Sequence, residues 1–207
     1  MKNINWKILI ITSLVCLLPI VLGIIFYQQM PEQMPVHFNI NNEVDNYASK
    51  NFALFGIPII LTGLQIFCCI ITDWKENKKT QRPRFLTIIK WFVPILSIVV
   101  STILIEIPLG STVDVRKSVC LVIGIFFILT GNYLPKMSYE MAKRKFHPMP
   151  KDEKMYRKMV RMFGYTFVIS GIALLASILF TPIFTVAVII VLVVAIFIEG
   201  VYGFIKK

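Results

Sequence analysis

Between positions 37 and 45 the chain places His37, Glu43 and Asp45, with Asn39 and Asn41 among them. Imidazole and carboxylates this close suggest an oxygen cage for calcium or a nitrogen–oxygen site for zinc. Asn39, Asn41, Glu43 and Asp45 alternate like the start of a calcium loop. Such a loop needs Gly at its sixth position and Glu at its twelfth, where Val44 and Lys50 stand. The calcium pattern fails. A zinc site would draw on His37, Glu43 and Asp45 with Glu106 from a distant run, whereas the reading without an ion has His37 hydrogen-bonded inside its own loop. We adopt the second, and expect no metal and no cofactor.

Two further acids lie in apolar runs, Glu106 and Glu199. Ionisable groups at membrane depth are functional candidates by default. Both stand near the ends of their runs, within snorkelling reach of an interface, which favours ion pairing over a proton relay. Glu106 has Lys50, Arg116, Lys117 and His37 to face, and Glu199 the basic segments. Gln65 and Asn132 read as interhelical hydrogen-bond partners. The apolar runs carry no HExxH, no Gly-x-Ser-x-Gly and no Ser–Lys or Asp–Asp pair, so no catalytic residues are expected. Cys16, Cys68, Cys69 and Cys120 all fall in apolar runs and read as small buried hydrophobes.

The elements that must position these groups follow from composition. The chain is 57% hydrophobic and 16% charged, with a mean hydropathy of +0.74. Soluble domains are about 45–50% apolar and about 25% charged. The excess gathers in runs long enough to cross a hydrocarbon core of about 30 Å. The fold class expected is all-α, a polytopic membrane bundle of about six helices. The spans are placed at 8–26, 52–72, 91–108, 118–135, 162–180 and 183–204. We divide the chain into 1–72, holding helix 1, the polar loop 27–50 and helix 2, and 73–207, holding four further helices. The first run is expected to be retained, since no small-residue cleavage site follows it.

The net charge of +11 sits in blocks beside these runs, chiefly 73–90 and 136–161. That placement speaks for the lipid bilayer and against direct nucleic-acid binding. With both termini in the cytoplasm and six crossings, 19 of the 22 Lys and Arg residues lie inside. Only Lys50, Arg116 and Lys117 lie outside, and Tyr27–Lys50 becomes an outer loop. Pro31 and Pro35 should stiffen its first half, and Asn41-Asn42 should turn the chain. Phe38, Val44 and Tyr47 are expected to fold back onto the helix ends, giving compact order with a short helix or strand pair. In the fifth span, Gly164, Ser170, Gly171 and Ser177 suit close packing on a neighbouring helix. From Asp152 the spacing predicts an amphipathic helix leading into that span.

The run Met30-Pro31-Glu32-Gln33-Met34-Pro35-Val36-His37-Phe38-Asn39, continued by Glu43-Val44-Asp45 and Tyr47-Ala48-Ser49-Lys50, resembles the SdpI-type membrane proteins. Those open with a helix and a Pro-x-x-x-Pro-x-His-Phe-Asn loop ending in Asp-x-Tyr-x-Ser-Lys. Asn42 stands where the family usually has Gly. Gly131-Asn132-Tyr133-Leu134-Pro135-Lys136 is similar to the family's Gly-Asn-Tyr-x-Pro-Lys signature. A weaker likeness runs from Tyr156 to Gly164, with Val160 at a His position. Met137–Met155 lacks the family's Gly-Ile-Arg-x-Pro-Trp-Thr stretch.

The resemblance implies a six-helix protein of the bacterial cytoplasmic membrane. It implies immunity to a secreted antimicrobial peptide, and recruitment of a cytosolic ArsR-type repressor to the membrane. The first role would use an outer recognition loop of Pro31, Pro35, His37, Phe38, Asn39, Asp45, Tyr47, Ser49 and Lys50. The second would use the basic inner segments, where the missing stretch lies. The function expected is therefore an integral membrane immunity-type protein. The alternatives are a repressor-sequestering receptor, and a metal-dependent membrane enzyme or transporter built on His37, Asp45 and Glu106.

Overall fold

The computed structural model describes residues 4–74, 84–145, 150 and 152–205. Helix α1 spans Trp6–Phe26 and passes through a 3-10 turn, Tyr27–Gln29, into strands β1 (Gln33–Phe38) and β2 (Val44–Ser49). A π turn at Phe52–Gly56 leads into α2 (Ile57–Asp73). Then come α3 (Arg84–Glu106), α4 (Val115–Tyr133), a 3-10 turn at Leu134–Lys136, and the short α5 (Tyr139–Lys145). Two long helices close the chain, α6 (Glu153–Ser177) and α7 (Pro182–Ile205). Among the described residues, six helices are long and apolar enough to cross a membrane. The chain is an all-α polytopic membrane protein that carries one small hairpin.

Local signals explain the helix ends. Asn5 caps α1, its side chain accepting from the Ile8 amide at 3.4 Å. Asp152 caps α6 by accepting from the Lys154 amide, and Pro182 opens α7 at a position that needs no amide donor. Pro19 in α1 and Pro94 in α3 each remove one helical hydrogen bond. Both are buried among neighbouring helices, which tolerate such gaps at membrane depth.

Two expected spans begin too late. The third, placed at Trp91, starts at Arg84, so the charged segment before it is partly helix. Lys90 lies well inside that helix and is only 3% exposed. The fifth, placed at Met162, is continuous with the amphipathic helix predicted from Asp152, and the two form α6. A long cationic stem can run along a helix while its head reaches an interface, so charge alone did not mark these ends.

The chain divides into two compact units, with boundaries at the end of α2 and within α3 and α4. One comprises Ile4–Thr72 and Lys90–Val122. Its centre is polar. Gln65 of α2 is fully buried and its Nε2 donates to Thr12 Oγ1 of α1 at 2.8 Å and to the Lys90 carbonyl of α3 at 2.8 Å. Ser97 of α3 donates to the Cys16 carbonyl of α1 at 2.9 Å. Three helices are thus tied by side-chain hydrogen bonds, as expected for Gln65.

The other unit comprises Asp73–Ile89 and Ile123–Lys207. Here α4 and α6 meet through glycines. A Cβ added at Gly131 would stand 2.5 Å from the Gly164 carbonyl oxygen, and one at Gly171 would stand 2.6 Å from that of Gly124. Those distances are shorter than any carbon–oxygen contact, so only glycine fits at both crossings. The small residues noted on the fifth span do pack closely on a neighbour. Phe85, Leu86, Met137, Tyr139, Met141, Ala142, Tyr156 and Val160 form a separate apolar core. The basic segment after α4 is therefore folded over its described part.

Candidate functional site

The polar stretch after α1 forms an antiparallel hairpin whose turn is built by its asparagines. Asn39 Oδ1 accepts from the amides of Asn41 at 2.9 Å and Glu43 at 3.0 Å, while Asn39 Nδ2 donates to Glu43 Oε2 at 2.8 Å. Asn42 takes a φ of +66°, in the left-handed region that Asn tolerates. The turn expected at Asn41-Asn42 is present.

Two ties fix the hairpin to its unit. At the turn, Asn42 Nδ2 donates to the Val113 carbonyl at 3.2 Å and Asn42 Oδ1 accepts from the Val115 amide at 2.8 Å. At the base, Lys50 is 8% exposed. Its ammonium donates to Glu32 Oε1 at 2.8 Å and to the Met30 carbonyl at 3.3 Å, and lies 4.5 Å from the Tyr27 ring centroid. Between these ties, Met34 is fully buried with Met30, Ala53, Leu54, Leu104 and Ile105, and Val36 and Phe38 pack against them.

The opposite face is solvated. His37, Asp45, Asn46, Tyr47 and Ser49 are exposed, with the His37 side chain at 68%. His37 Nδ1 and Asp45 Oδ1 are 2.5 Å apart. A carboxylate only accepts, so Nδ1 carries the hydrogen between them. Tyr47 was expected to fold back onto the helix ends. It faces out instead, because strand alternation sends Ala48 and Lys50 inward and Tyr47 and Ser49 outward.

The hairpin edges offer little to a third strand. Lys50 donates its amide to the Glu32 carbonyl, and the register pairs Met34 with Ala48 and Pro35 with Tyr47. The alternation of an antiparallel ladder then turns the backbone of Pro35 and Tyr47 outward. Pro35 has no amide hydrogen, and the Tyr47 amide is taken by Asn46 Oδ1 at 2.8 Å. Pro35 and the Tyr47 amide are thus closed to a third strand, which favours contact with another molecule through side chains.

The expected recognition set therefore separates. His37, Asp45, Tyr47 and Ser49 lie on the solvated face, and Pro31 is also exposed. Pro35, Phe38, Asn39 and Lys50 build the hairpin. The role of Asn42 in docking was missed, since its partners lie more than 70 residues away. Among the described residues, no group of three or more His, Cys, Asp or Glu side chains is placed to hold one ion. Glu43 is turned to Asn39, and Glu106 is exposed at the end of α3.

Other expectations are corrected. The ion pair imagined for Glu106 is not formed with the residues proposed. Lys50 pairs with Glu32, His37 with Asp45, and Arg116 and Lys117 lie near Asp114. Glu199 hydrogen-bonds with Thr166 of α6, whose hydroxyl donates to Oε1 at 2.5 Å, and pairs with no cation among the described residues. Asn132 is exposed and makes no interhelical hydrogen bond among the described residues. Its neighbours do more. Gly131 permits the approach to α6, and Pro135 packs where a Cβ on Gly164 would stand 2.8 Å from its ring. Lys136 Nζ lies 4.2 Å from the Tyr133 ring centroid, and Arg84 Nη1 donates to the Tyr133 hydroxyl at 3.4 Å.

Comparison with known proteins agrees with the motifs. Residues 14–62 match a domain of unknown function, DUF1648, a range that holds the end of α1, the whole hairpin and the start of α2. The chain is 26% identical over 186 residues to a protein described as immunity protein SdpI of Bacillus subtilis (strain 168), covering 89% of this chain and 87% of that one. No solved structure matches.

Proposed function

Taking as premise a chain that is SdpI-type in its motifs and similar to an SdpI protein over most of its length, we propose that it is an immunity-type protein of the bacterial cytoplasmic membrane. It protects the cell against a secreted antimicrobial peptide, acting by binding and not by catalysis. Both termini are cytoplasmic and the hairpin faces out, where such a peptide arrives. The observation that carries this reading is the hairpin's construction. Ties at Asn42 and Lys50 hold a solvated face of His37, Asp45, Asn46, Tyr47 and Ser49 in fixed register. A rigid face loses less conformational entropy on binding than a mobile loop. The closed positions at Pro35 and Tyr47 favour these side chains as the contact.

The test is genetic. Deleting the gene should sensitise cells to a peptide made by the same strain, and a plasmid copy should restore resistance. A His37→Ala/Tyr47→Ala copy, at equal membrane abundance, should not. Unchanged sensitivity across a panel of such peptides overturns the proposal. A second reading, sequestration of a cytosolic repressor, draws on the folded basic segment of α5 and the start of α6, which exposes Lys143, Arg144 and Lys154. Recovery of a DNA-binding protein with the solubilised chain would favour it, and its loss in Lys143→Glu/Arg144→Glu would place the contact.

A further inference from the structure

The Gly131–Lys136 motif and the start of α3 meet at one aromatic ring, and the immunity reading makes no use of that meeting. Tyr133 ends α4, Lys136 ends the 3-10 turn that follows, and Arg84 opens α3. Lys136 Nζ is 4.2 Å and the Arg84 guanidinium carbon 5.9 Å from the Tyr133 ring centroid. The two cations are therefore no farther apart than the sum of those distances, although they lie 52 positions apart in sequence. Both side chains are exposed, and among the described residues neither is in an ion pair.

Three described acids of the same unit are engaged elsewhere or set apart. Asp152 caps α6, Glu153 pairs with Arg157, and Glu140 lies in the first turn of α5, where it favours that helix's own N-terminus. An aromatic ring attracts a cation but does not neutralise it. Two like charges gathered on one ring leave a position where an anion gains from both. The anion that meets the end of a membrane-spanning helix at high local concentration is a lipid phosphate.

We propose that Arg84, Tyr133 and Lys136 form a binding site for a phosphodiester anion, supplied by the headgroup of an acidic phospholipid. Tyr133 is the positioning residue. It contacts both cations, with Arg84 giving paired donors and Lys136 a point charge. This goes beyond attraction of a basic surface to a charged bilayer, because it assigns the preference to three residues and requires the ring as well as the charges. It stands apart from the immunity reading, and either can fail without the other.

The experiment uses the full chain in nanodiscs of phosphatidylcholine doped with phosphatidylglycerol, and reads the relative affinity for the two lipids by native mass spectrometry after extraction. Removing two cations at a membrane surface, at about 1 kcal/mol each, should weaken the phosphatidylglycerol preference about thirty-fold in Arg84→Gln/Lys136→Gln. The charge-matched pair Arg144→Gln/Lys154→Gln should change it less than three-fold. Tyr133→Leu should lose most of the preference with both cations present, and Lys136→Gln alone serves if that variant does not fold.

Equal losses in the two double variants, or full retention in Tyr133→Leu, would overturn the site in favour of diffuse surface charge. Inorganic phosphate added to pure phosphatidylcholine discs separates the sources. Competition at millimolar phosphate would assign the site to a soluble phosphate and overturn the lipid assignment. Indifference to it supports the lipid. An acidic protein that binds wild type but not Arg84→Gln/Lys136→Gln, with no lipid preference in either, would overturn it as well.

Discussion

Two helix contacts in this protein are made by opposite means. In one unit, α1, α2 and α3 are tied by the amide of Gln65, which reaches Thr12 and the Lys90 carbonyl. In the other, α4 and α6 approach until the backbone of one glycine touches that of another, Gly131 on Gly164 and Gly124 on Gly171. Lipid gives no hydrophobic drive between helices, so association rests on packing and on hydrogen bonds. The first contact tolerates distance and demands partners. The second needs no partner and tolerates no added atom.

That difference sets the size of the expected effects. Gly131→Leu should be the most damaging change, since its Cβ alone would meet the Gly164 carbonyl oxygen, Phe167 Cβ and Val168 Cγ2 within 3 Å. Overpacking of this kind costs about 3 kcal/mol, and here backbone must move to relieve it. Unfolding in mixed micelles would measure the loss. Gly63→Leu in α2 is the control, because nothing lies within 4 Å of a Cβ there. It should stay within about 0.5 kcal/mol of wild type. Equal behaviour of the two variants would remove the claim that glycine sets the α4–α6 distance.

Gln65→Leu should cost less, about 1–2 kcal/mol, the range for hydrogen bonds at membrane depth. Part of the loss is offset, because Gln65 Oε1 is buried with no partner among the described residues and Leu removes that burden. Gln65→Ala should be worse than Leu by the cavity it leaves. If Leu proved as stable as wild type, the tie would be packing and not hydrogen bonding.

The same pair of contacts shows what a sequence can disclose. The stripe Gly164, Ser170, Gly171 and Ser177 marks α6 as a close-packing helix, and Gln65 in an apolar run marks α2 as needing a polar partner. Neither pattern says which helix answers. Periodicity fixes the face of one helix, while the identity of the facing helix depends on chain topology. Hence Gly124 and Gly131 of α4 gained a role only in three dimensions, as did Arg84 beside Tyr133. The hairpin was more legible, because prolines and paired asparagines act locally. Its docking was not, since Asn42 reaches Val113 and Val115 across the chain. The acids misled for a related reason. Glu106 and Glu199 were assigned cations by nearness to basic segments, and Glu199 instead found the hydroxyl of Thr166.

The hairpin carries both kinds of tie in miniature. At its base, Lys50→Met keeps the stem that packs beside Tyr27 and removes the ammonium. The pair with Glu32 adds little, because that carboxylate is 88% exposed and screened. The substitution also removes the cation–π contact and the bond to the Met30 carbonyl, so a loss of about 1 kcal/mol is expected. It should appear as faster amide exchange across β1 and β2 with the transmembrane helices unchanged. Exchange that rises equally in the helices would mean that Lys50 supports the whole unit.

At its turn, Asn42 combines the two needs that the helix contacts keep apart, a backbone conformation and a pair of hydrogen bonds. Asn42→Gly keeps the positive φ and loses the bonds to Val113 and Val115. Asn42→Ala loses the bonds and also leaves in the left-handed region a side chain without the polar group that lets Asn tolerate it, at about 1 kcal/mol more. Asn42→Gly should therefore be the mildest change, about 0.5–1 kcal/mol, with faster exchange at the turn and at Val115 but an intact ladder. Asn42→Ala should fray the ladder as well. Identical exchange in the two variants would mean that docking alone holds the turn.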